Sequence, residues 1–410
     1  MTLPGSLHEP QPDQELTVDR RPVVLVIVGH YLPGFRAGGI TTCVANIVAS
    51  LHHEFRFLII ARDRDLGTAN PYPGVRYGQW EPVGGAHVQY VRADRHASAE
   101  VWRIMANTAH DILYLNSFFE PLVVRTLMRQ WGRRNGRRPA LLVPHGEFAW
   151  PSLSQKFVKK ALFIWLARWT GLYANVWWHA SNAVEADDVR KWMKVTGARV
   201  RIAHQLPPSP DIALAATDTP AAFRKATEVR AFFFARVAPE KNLHVALEIL
   251  RKVNVPVTFD IIGPVENLPY WKRCEELIAQ LPAHVTARSV GPVEATDLLP
   301  TLARYDVMLF PTGGEGYGQV IAESLITGTQ VLISTDTPWR GLQEQGLGWD
   351  IGVGEVMEFA RVVDSIGSMS EEQRSQRRRE VQANLRKYLS KSSAVDDVRR
   401  LFNDLLASRT

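Results

Sequence analysis

From residue 230 onward the chain alternates short β-branched or aromatic runs with amphipathic stretches: AFFFARV, EKNLHVALEILRKV, VTFDIIG, YWKRCEELIAQL, VTARSVG, DVMLFP and QVLISTD. Short apolar runs bounded by turn residues read as buried strands, and apolar residues returning every three or four positions read as helices. Strands separated by helices are joined by crossovers, so they lie parallel in a sheet covered by those helices. The first half repeats the scheme with VVLVIVG, GITTCVANIVASLHH, FRFLIIAR, AHVQYVR, DILYLNS, ALLVPHG and VWWHAS. A chain of 410 residues, at roughly 150 per domain, accommodates two such units. The expected fold class is α/β, with two Rossmann-like, doubly wound parallel-sheet domains.

The boundaries follow from composition. Residues 206–228, LPPSPDIALAATDTPAAFRKATE, are rich in proline and alanine without an apolar period, and read as the connection between a first domain over 21–212 and a second over 229–390. Residues 1–20 carry prolines and acids where a secretory signal needs an apolar segment, and are expected to form a disordered tail. The last forty residues read as two charged helices that either cap the second domain or, for about 392–410, cross back onto the first. No run of about 18 apolar residues suggests a spanning helix. Cys43 and Cys274 give neither a disulfide framework nor metal-ligand spacing, which suits a reducing, cytoplasmic setting. The net charge of +6 permits an anionic ligand or membrane surface without demanding either.

In open parallel sheets ligands bind outside the carboxyl ends of the strands, and two such sheets facing one another enclose a cleft. The segments that follow strands are therefore the informative ones. PGFRAGGITT keeps Gly34, Gly39 and Thr41 at P-loop spacing, yet Ile40 stands where the phosphate-gripping lysine belongs. After AFFFARV comes APEKN, placing Arg236 at a strand end and Lys241 at the start of the next helix. Two cations beside a helix N-terminus suit a diphosphate, whereas taken alone they read first as solvated turn residues. After DVMLFP the chain reads TGGEGYGQVIAESLITG, in which glycines open the turn and Glu315 and Glu323, eight positions apart, would align near one side of the cleft. Carboxylates so placed accept hydrogen bonds from sugar hydroxyls; the plainer reading is a capping acid and an exposed helix glutamate. Asp63 and Asp65 in ARDRDLG have the spacing of a metal-binding D-x-D, and are read as a structural loop because so short a motif is common by chance.

Arg236, Lys241 and the Glu315-x7-Glu323 segment together resemble the retaining glycosyltransferases of the GT4 type, whose fold is GT-B: two Rossmann-like domains facing an interdomain cleft. LPGFRAGGITTCVANI looks like the family's first glycine loop, FARVAPEKN like its phosphate-binding segment and EGYGQVIAES like its donor-binding segment. RDRDLG, PHGEFAW and HASNAVEADDV further resemble bacterial members that build surface polysaccharides. The resemblance implies that Gly38 and Gly39 approach the donor diphosphate, that Arg236 and Lys241 stabilise its charge, that Glu315 contacts the transferred sugar and Glu323 the ribose. It also implies that Gly316, Tyr317 and Gly318 line the sugar and phosphate pocket, that Pro292 and Val293 contact the base, and that His145 lies near donor sugar and acceptor. The implied reaction transfers a hexose-type sugar from a nucleoside-diphosphate sugar to a glycan or lipid-linked acceptor, with retention, no metal and no cofactor. A sugar-nucleotide epimerase of the same fold and a non-catalytic nucleotide-sugar-binding protein stay open as alternatives.

One flank has a different composition. Between residues 120 and 170, Arg125, Arg129, Arg133, Arg134, Arg137, Arg138, Lys156, Lys159, Lys160 and Arg168 face only Glu120 and Glu147. Tryptophans and phenylalanines interleave, as in SQKFVKKALFIWLARW. This composition suits an anionic membrane surface, hence a peripheral position at the cytoplasmic face of the inner membrane, or equally a helix buried against its own domain. No nucleic-acid-binding motif accompanies the charge, so nucleic acid is not expected as a partner.

Overall fold

The computed structural model describes residues 19–34, 36, 38–131, 140–207, 228–390 and 393–408. Most of the expected tail and connection, and Arg133, Arg134, Arg137 and Arg138 of the basic flank, lie outside the described residues. The first sheet contains β1 (Val23–Ile27), β2 (Arg56–Arg62), β3 (Glu81–Val83), β4 (Ala86–Val91), β5 (Ile112–Asn116), β6 (Ala140–Val143), β7 (Val176–Ala180) and β8 (Val200–Ile202). Its order is β3-β4-β2-β1-β5-β6-β7-β8, parallel except for β3 against β4. The second sheet contains β9 (Val229–Phe234), β10 (Val257–Ile262), β11 (Val285–Gly291), β12 (Val307–Phe310), β13 (Gln330–Ser334) and β14 (Gly348–Ile351), in the order β11-β10-β9-β12-β13-β14, parallel throughout. Edge strands β3, β8 and β14 are too short, or too polar, to stand out as periodic runs.

Strand order reverses at β1, which lies between β2 and β5, and at β9, which lies between β10 and β12. Such switch points open a crevice at the carboxyl ends, because the crossovers on either side run in opposite directions. The loops leaving β1, β9 and β12 are the three glycine- and cation-bearing segments. The fold thus gathers them from sequence positions about 30, 236 and 313.

Both faces of the first sheet are buried, as parallel strands require. Leu25, Ile27, Leu58 and Ile60 pack into one core, while Val24, Val26, Phe57 and Ile59 pack into the other. That second core is closed by helix Gly39–Leu51 and by the final helix, Ala394–Ala407. Phe402, fully buried, meets the rings of Phe55 at 5.3 Å and Tyr114 at 5.7 Å, both edge-on. Arg399 Nε and one of its terminal nitrogens reach the Glu54 carboxylate at 2.7 and 2.8 Å. The preceding helix, Glu371–Ser390, stays on the second domain, where buried Arg374 donates to Glu228 O at 2.8 Å and Asp306 Oδ2 at 3.1 Å. The chain's last helix is therefore a strap from the second domain onto the first.

A strap held by an aromatic plug should fail at the plug. Phe402→Ala should cost about 3–5 kcal/mol, the usual range for emptying a phenylalanine site, whereas Arg399→Ala removes only an exposed ion pair worth up to about 1 kcal/mol. Urea denaturation followed by tryptophan fluorescence distinguishes the two; equal losses would mean that charge rather than packing holds the strap.

Candidate functional site

The loop after β12 is laced to the loop after β9. Gly313 N donates to Glu240 O at 3.0 Å, and Asn242 Nδ2 donates to Pro311 O at 3.0 Å. Across this seam Lys241 Nζ meets Glu315 Oε1 at 2.6 Å, both side chains being largely shielded from solvent. Lys241 ends a 3-10 turn, Pro239–Lys241, and the helix Leu243–Leu250 starts only after Asn242, whose φ of 57° is left-handed. Lys241 is thus one turn outside the helix where the sequence places it. Glu315 also lies outside a helix, since Gln319–Ile326 begins after Gly318. Gly318 has a φ of 80°, and a Cβ there would come within 2.7 Å of Ile321 Cδ1, so the helix entrance requires glycine. The two-turn alignment expected of Glu315 and Glu323 gives way to a loop acid paired with lysine and a helix acid below it.

Glu323 is 8% exposed, and among the described residues its carboxylate has no hydrogen-bond or ion-pair partner. Burial alone pushes its pKa up to about 7. Arg236 is more open: it pairs with Glu266, and lies 3.7 Å from Glu240. Tyr317 is fixed through its carbonyl, which accepts from Trp339 Nε1 at 2.7 Å. Pro292 and Val293 follow edge strand β11, with β10 and β9 between them and β12; Val293 packs on the core and Pro292 is exposed. A cavity of about 370 Å³ lined by Arg230, Asp260, Arg288 and Tyr305 opens toward the amino ends of these strands, away from the loops.

The first domain supplies the facing wall. At Gly34 a Cβ would fall 2.1 Å from Tyr72 Oη, so this glycine serves packing, whereas Gly38 and Gly39 at the start of helix Gly39–Leu51 have open space where a Cβ would sit. Asp65 accepts from Leu66 N at 2.7 Å and Arg36 N at 2.9 Å. Fully buried Asp63 accepts from Arg64 Nε and Tyr77 Oη, each at 2.8 Å. Both carboxylates of the D-x-D are thus engaged in their own fold, and no cluster suited to a metal occurs among the described residues.

His145 follows β6 with a left-handed φ of 51°, and its Nε2 lies 3.1 Å from Asn116 Oδ1. Burial, with His179 second, pulls its pKa down to about 3, so the ring is neutral at ordinary pH. Two acids that sequence reasoning does not single out hold this turn. Glu147 accepts from Ser117 Oγ at 2.6 Å and from the backbone of Phe118 and Phe119, and burial raises its pKa to about 7. Glu185, 6% exposed, accepts from Gly146 N at 2.5 Å and from Ser181 Oγ at 2.6 Å. Their signal lay in the quoted segments PHGEFAW and HASNAVEADDV, but nothing local showed that an acid on one would bind the backbone of the other.

The two walls touch beside the donor-type loop. Asn46 Nδ2 donates to Leu206 O at 2.9 Å and to Gln319 Oε1 at 3.3 Å, while Gln319 Nε2 donates to Leu206 O at 3.2 Å. Asn182 Nδ2 donates to Gly316 O at 3.1 Å. The structure therefore brings together Lys241, Glu315, Gly316, Tyr317, Gly318 and Glu323 of the second domain, beside first-domain residues Asn46 and Asn182.

Residues 217–386 match the family model described as Glycosyl transferases group 1. The match covers the phosphate-type and donor-type segments. No curated protein sequence matches the chain significantly. Among solved structures, it is similar to Anabaena HepE in complex with UDP and glucose, at 15% identity and a TM-score of 0.63, over 95% of this chain and 100% of that one. It is likewise similar to sucrose-phosphate synthase from Thermosynechococcus elongatus, at 16% identity and a TM-score of 0.63, over 95% and 100%. A third is WaaG, a glycosyltransferase involved in lipopolysaccharide biosynthesis, at 13% identity and a TM-score of 0.56, over 93% and 99%. At these identities the likeness establishes the fold, the two-domain α/β architecture of the GT-B type.

The buried acid makes a pH prediction. Glu323 keeps its proton up to about pH 7 when folded but loses it near its ordinary value of 4.5 when unfolded. The folded state binds the extra proton across that window, so stability falls as pH rises through it and stays lower above. Glu323→Gln should therefore raise the melting temperature at pH 8, by up to about 3 kcal/mol in stability, with the gain shrinking toward pH 5. An unchanged melting temperature at pH 8 would show that ionised Glu323 is compensated.

Proposed function

We propose that this protein is a glycosyltransferase that moves a hexose-type sugar from a nucleoside-diphosphate sugar to a glycan or lipid-linked acceptor. The observation that carries the reading is the Lys241–Glu315 pair, 2.6 Å apart, held at the carboxyl end of β12 within the segment that matches group 1 glycosyltransferases. A leaving nucleoside diphosphate gains negative charge in the transition state, and preorganised cations beside it are worth more than any other single catalytic contribution. Lys241 and Arg236 supply that charge, in place of a divalent metal. Uridine is the proposed base, since HepE binds UDP and glucose.

Glu315 gives Oε1 to Lys241, and its second oxygen is proposed to accept from a hydroxyl of the transferred sugar. Glu323 is proposed to accept the ribose hydroxyls: burial costs the ionised acid free energy that two hydroxyl donors would return. Neutral His145 can hydrogen-bond the sugar or acceptor without adding a cation near the anomeric carbon. The proposed reaction retains anomeric configuration by front-face substitution, with the departing phosphate taking the acceptor proton. Pro292 and Val293 would border the base and Gly38 and Gly39 the diphosphate.

A role in surface polysaccharide assembly, at the cytoplasmic face of a membrane, extends the same reading. No described helix is long and apolar enough to cross a membrane. Helix Phe157–Trp169, however, buries only Ile164 and Ala167 fully, and leaves Val158 78%, Trp165 57% and Trp169 77% exposed. Lys156, Lys159 and Arg168 are exposed beside them. An apolar face flanked by cations matches an anionic bilayer, where each cation near the surface contributes about 1 kcal/mol. The other face of the helix packs on its own domain through Ile164 and Ala167, as the alternative of a helix buried against its domain expects.

Two measurements test these statements. UDP or a UDP-sugar should raise the melting temperature, and Lys241→Ala should lower turnover at least about a hundredfold at a temperature where the variant is still folded, its unliganded melting temperature falling because shielded Glu315 loses its partner. Undiminished transfer in that variant, or conversion of the donor into another sugar nucleotide without transfer, would overturn the assignment. Co-sedimentation should favour vesicles containing phosphatidylglycerol over phosphatidylcholine alone, the double change Trp165→Ala, Trp169→Ala should weaken binding to both, and Lys156→Ala with Lys159→Ala should reduce the preference; equal binding of the wild type to both lipids would refute the membrane placement.

A further inference from the structure

We propose that Asn182 is a positioning residue that clasps the donor-type loop to the first domain, and that it does so through a single amide whose two ends serve both domains. The inference rests on the donor reading above, but its geometry stands apart from that reading. Asn182 is the N-cap of helix Ala183–Met193, where its Oδ1 accepts from Glu185 N at 2.9 Å. Capping fixes the side-chain rotamer, and the same amide then points Nδ2 across the cleft to Gly316 O at 3.1 Å. The cap therefore preorganises the clasp, so little side-chain entropy is spent in forming it.

Gly316 stands between two residues that are each tied within the second domain. Glu315 is held by Lys241, and the carbonyl of Tyr317 is held by Trp339. Asn182 adds the third consecutive anchor, and of the three it alone comes from the first domain. Glu185, whose N–H the cap receives, uses its carboxylate to hold Gly146, next to His145. One short segment thus links the turn carrying His145 to the loop carrying Glu315. The second contact between walls, Asn46 with Gln319 and Leu206, lies deeper and is independent of Asn182. Loss of the clasp would free the rim of the cleft while the base stays fastened.

Asn182→Asp separates the two uses of the amide. Aspartate caps a helix as well as asparagine does, but it places a carboxylate oxygen against the Gly316 carbonyl where a donor stood. Unliganded N182D should keep a melting temperature within about 1–2 °C of wild type, consistent with an intact cap. Its small-angle scattering should nevertheless show a larger radius of gyration, and its kcat should fall about tenfold while the UDP-induced melting shift changes little. Asn182→Ala, which loses cap and clasp together, should show the same opening with a lower melting temperature. Wild-type scattering and wild-type kcat in N182D would overturn the proposal. If the wild-type protein neither responds to any nucleoside diphosphate nor transfers sugar, the donor reading fails, and the scattering comparison alone then decides the clasp: opening supports it and no opening removes it.

Discussion

Parallel strands cannot be joined by tight turns, and that constraint organises the rest of this molecule. Every crossover returns the chain to the amino end of its sheet, so all the loops that leave strands lie together at the carboxyl ends. With strand order reversing at β1 and β9, the loops that leave those strands and β12 converge without any specific attraction between them. Specific polar contacts then refine what topology has placed: Gly313 to Glu240, Asn242 to Pro311, Lys241 to Glu315. The strap carrying Phe402 completes the arrangement by tying the second domain to the back of the first sheet.

The acids around the cleft fall into two physical classes. Half-buried Glu147 and buried Glu185 are saturated with donors from backbone and hydroxyl groups, and they fix turns in which His145 and Gly146 sit. Glu323, 8% exposed, has no such donors among the described residues, so burial raises its pKa and nothing in the fold lowers it again. Structural acids are expected to be satisfied within the fold, and an acid without such partners is a candidate for binding. The distinction separates Glu323 from its neighbours without any appeal to resemblance.

The repeated strand and helix pattern was legible because buried parallel strands are continuously apolar; runs such as VVLVIVG and VTFDIIG allow little else. The cation- and acid-bearing loops were legible because each follows such a run. What escaped was conformation within loops: the left-handed residue Asn242 leaves Lys241 in a 3-10 turn ahead of its helix, and no apolar period reports a left-handed turn. Contacts between distant segments escaped for the same reason. Asn46, Asn182, Glu147 and Glu185 are ordinary helix and turn residues by local criteria, and their partners are decided by tertiary placement. The exposed face of helix Phe157–Trp169 was half legible, since composition showed tryptophans among lysines but not which way they point.

The two cations of the second domain differ in how they await an anion. Arg236 pairs with Glu266 where both side chains are about half exposed, and such a pair contributes little, so its guanidinium is free to turn toward a stronger acceptor. Lys241 and Glu315 are mostly shielded, and their attraction is correspondingly harder to replace. A phosphate need not break that pair, because an ammonium has three donors and Glu315 takes one of them. In the proposed reaction Lys241 would thus hold the acid and the anion at once, the carboxylate proposed to face the sugar and the departing phosphate sharing one nitrogen. On that reading the spacing of sugar from phosphate would be set by a single ammonium group, within a loop that Gly313 and Tyr317 already tie to the second domain.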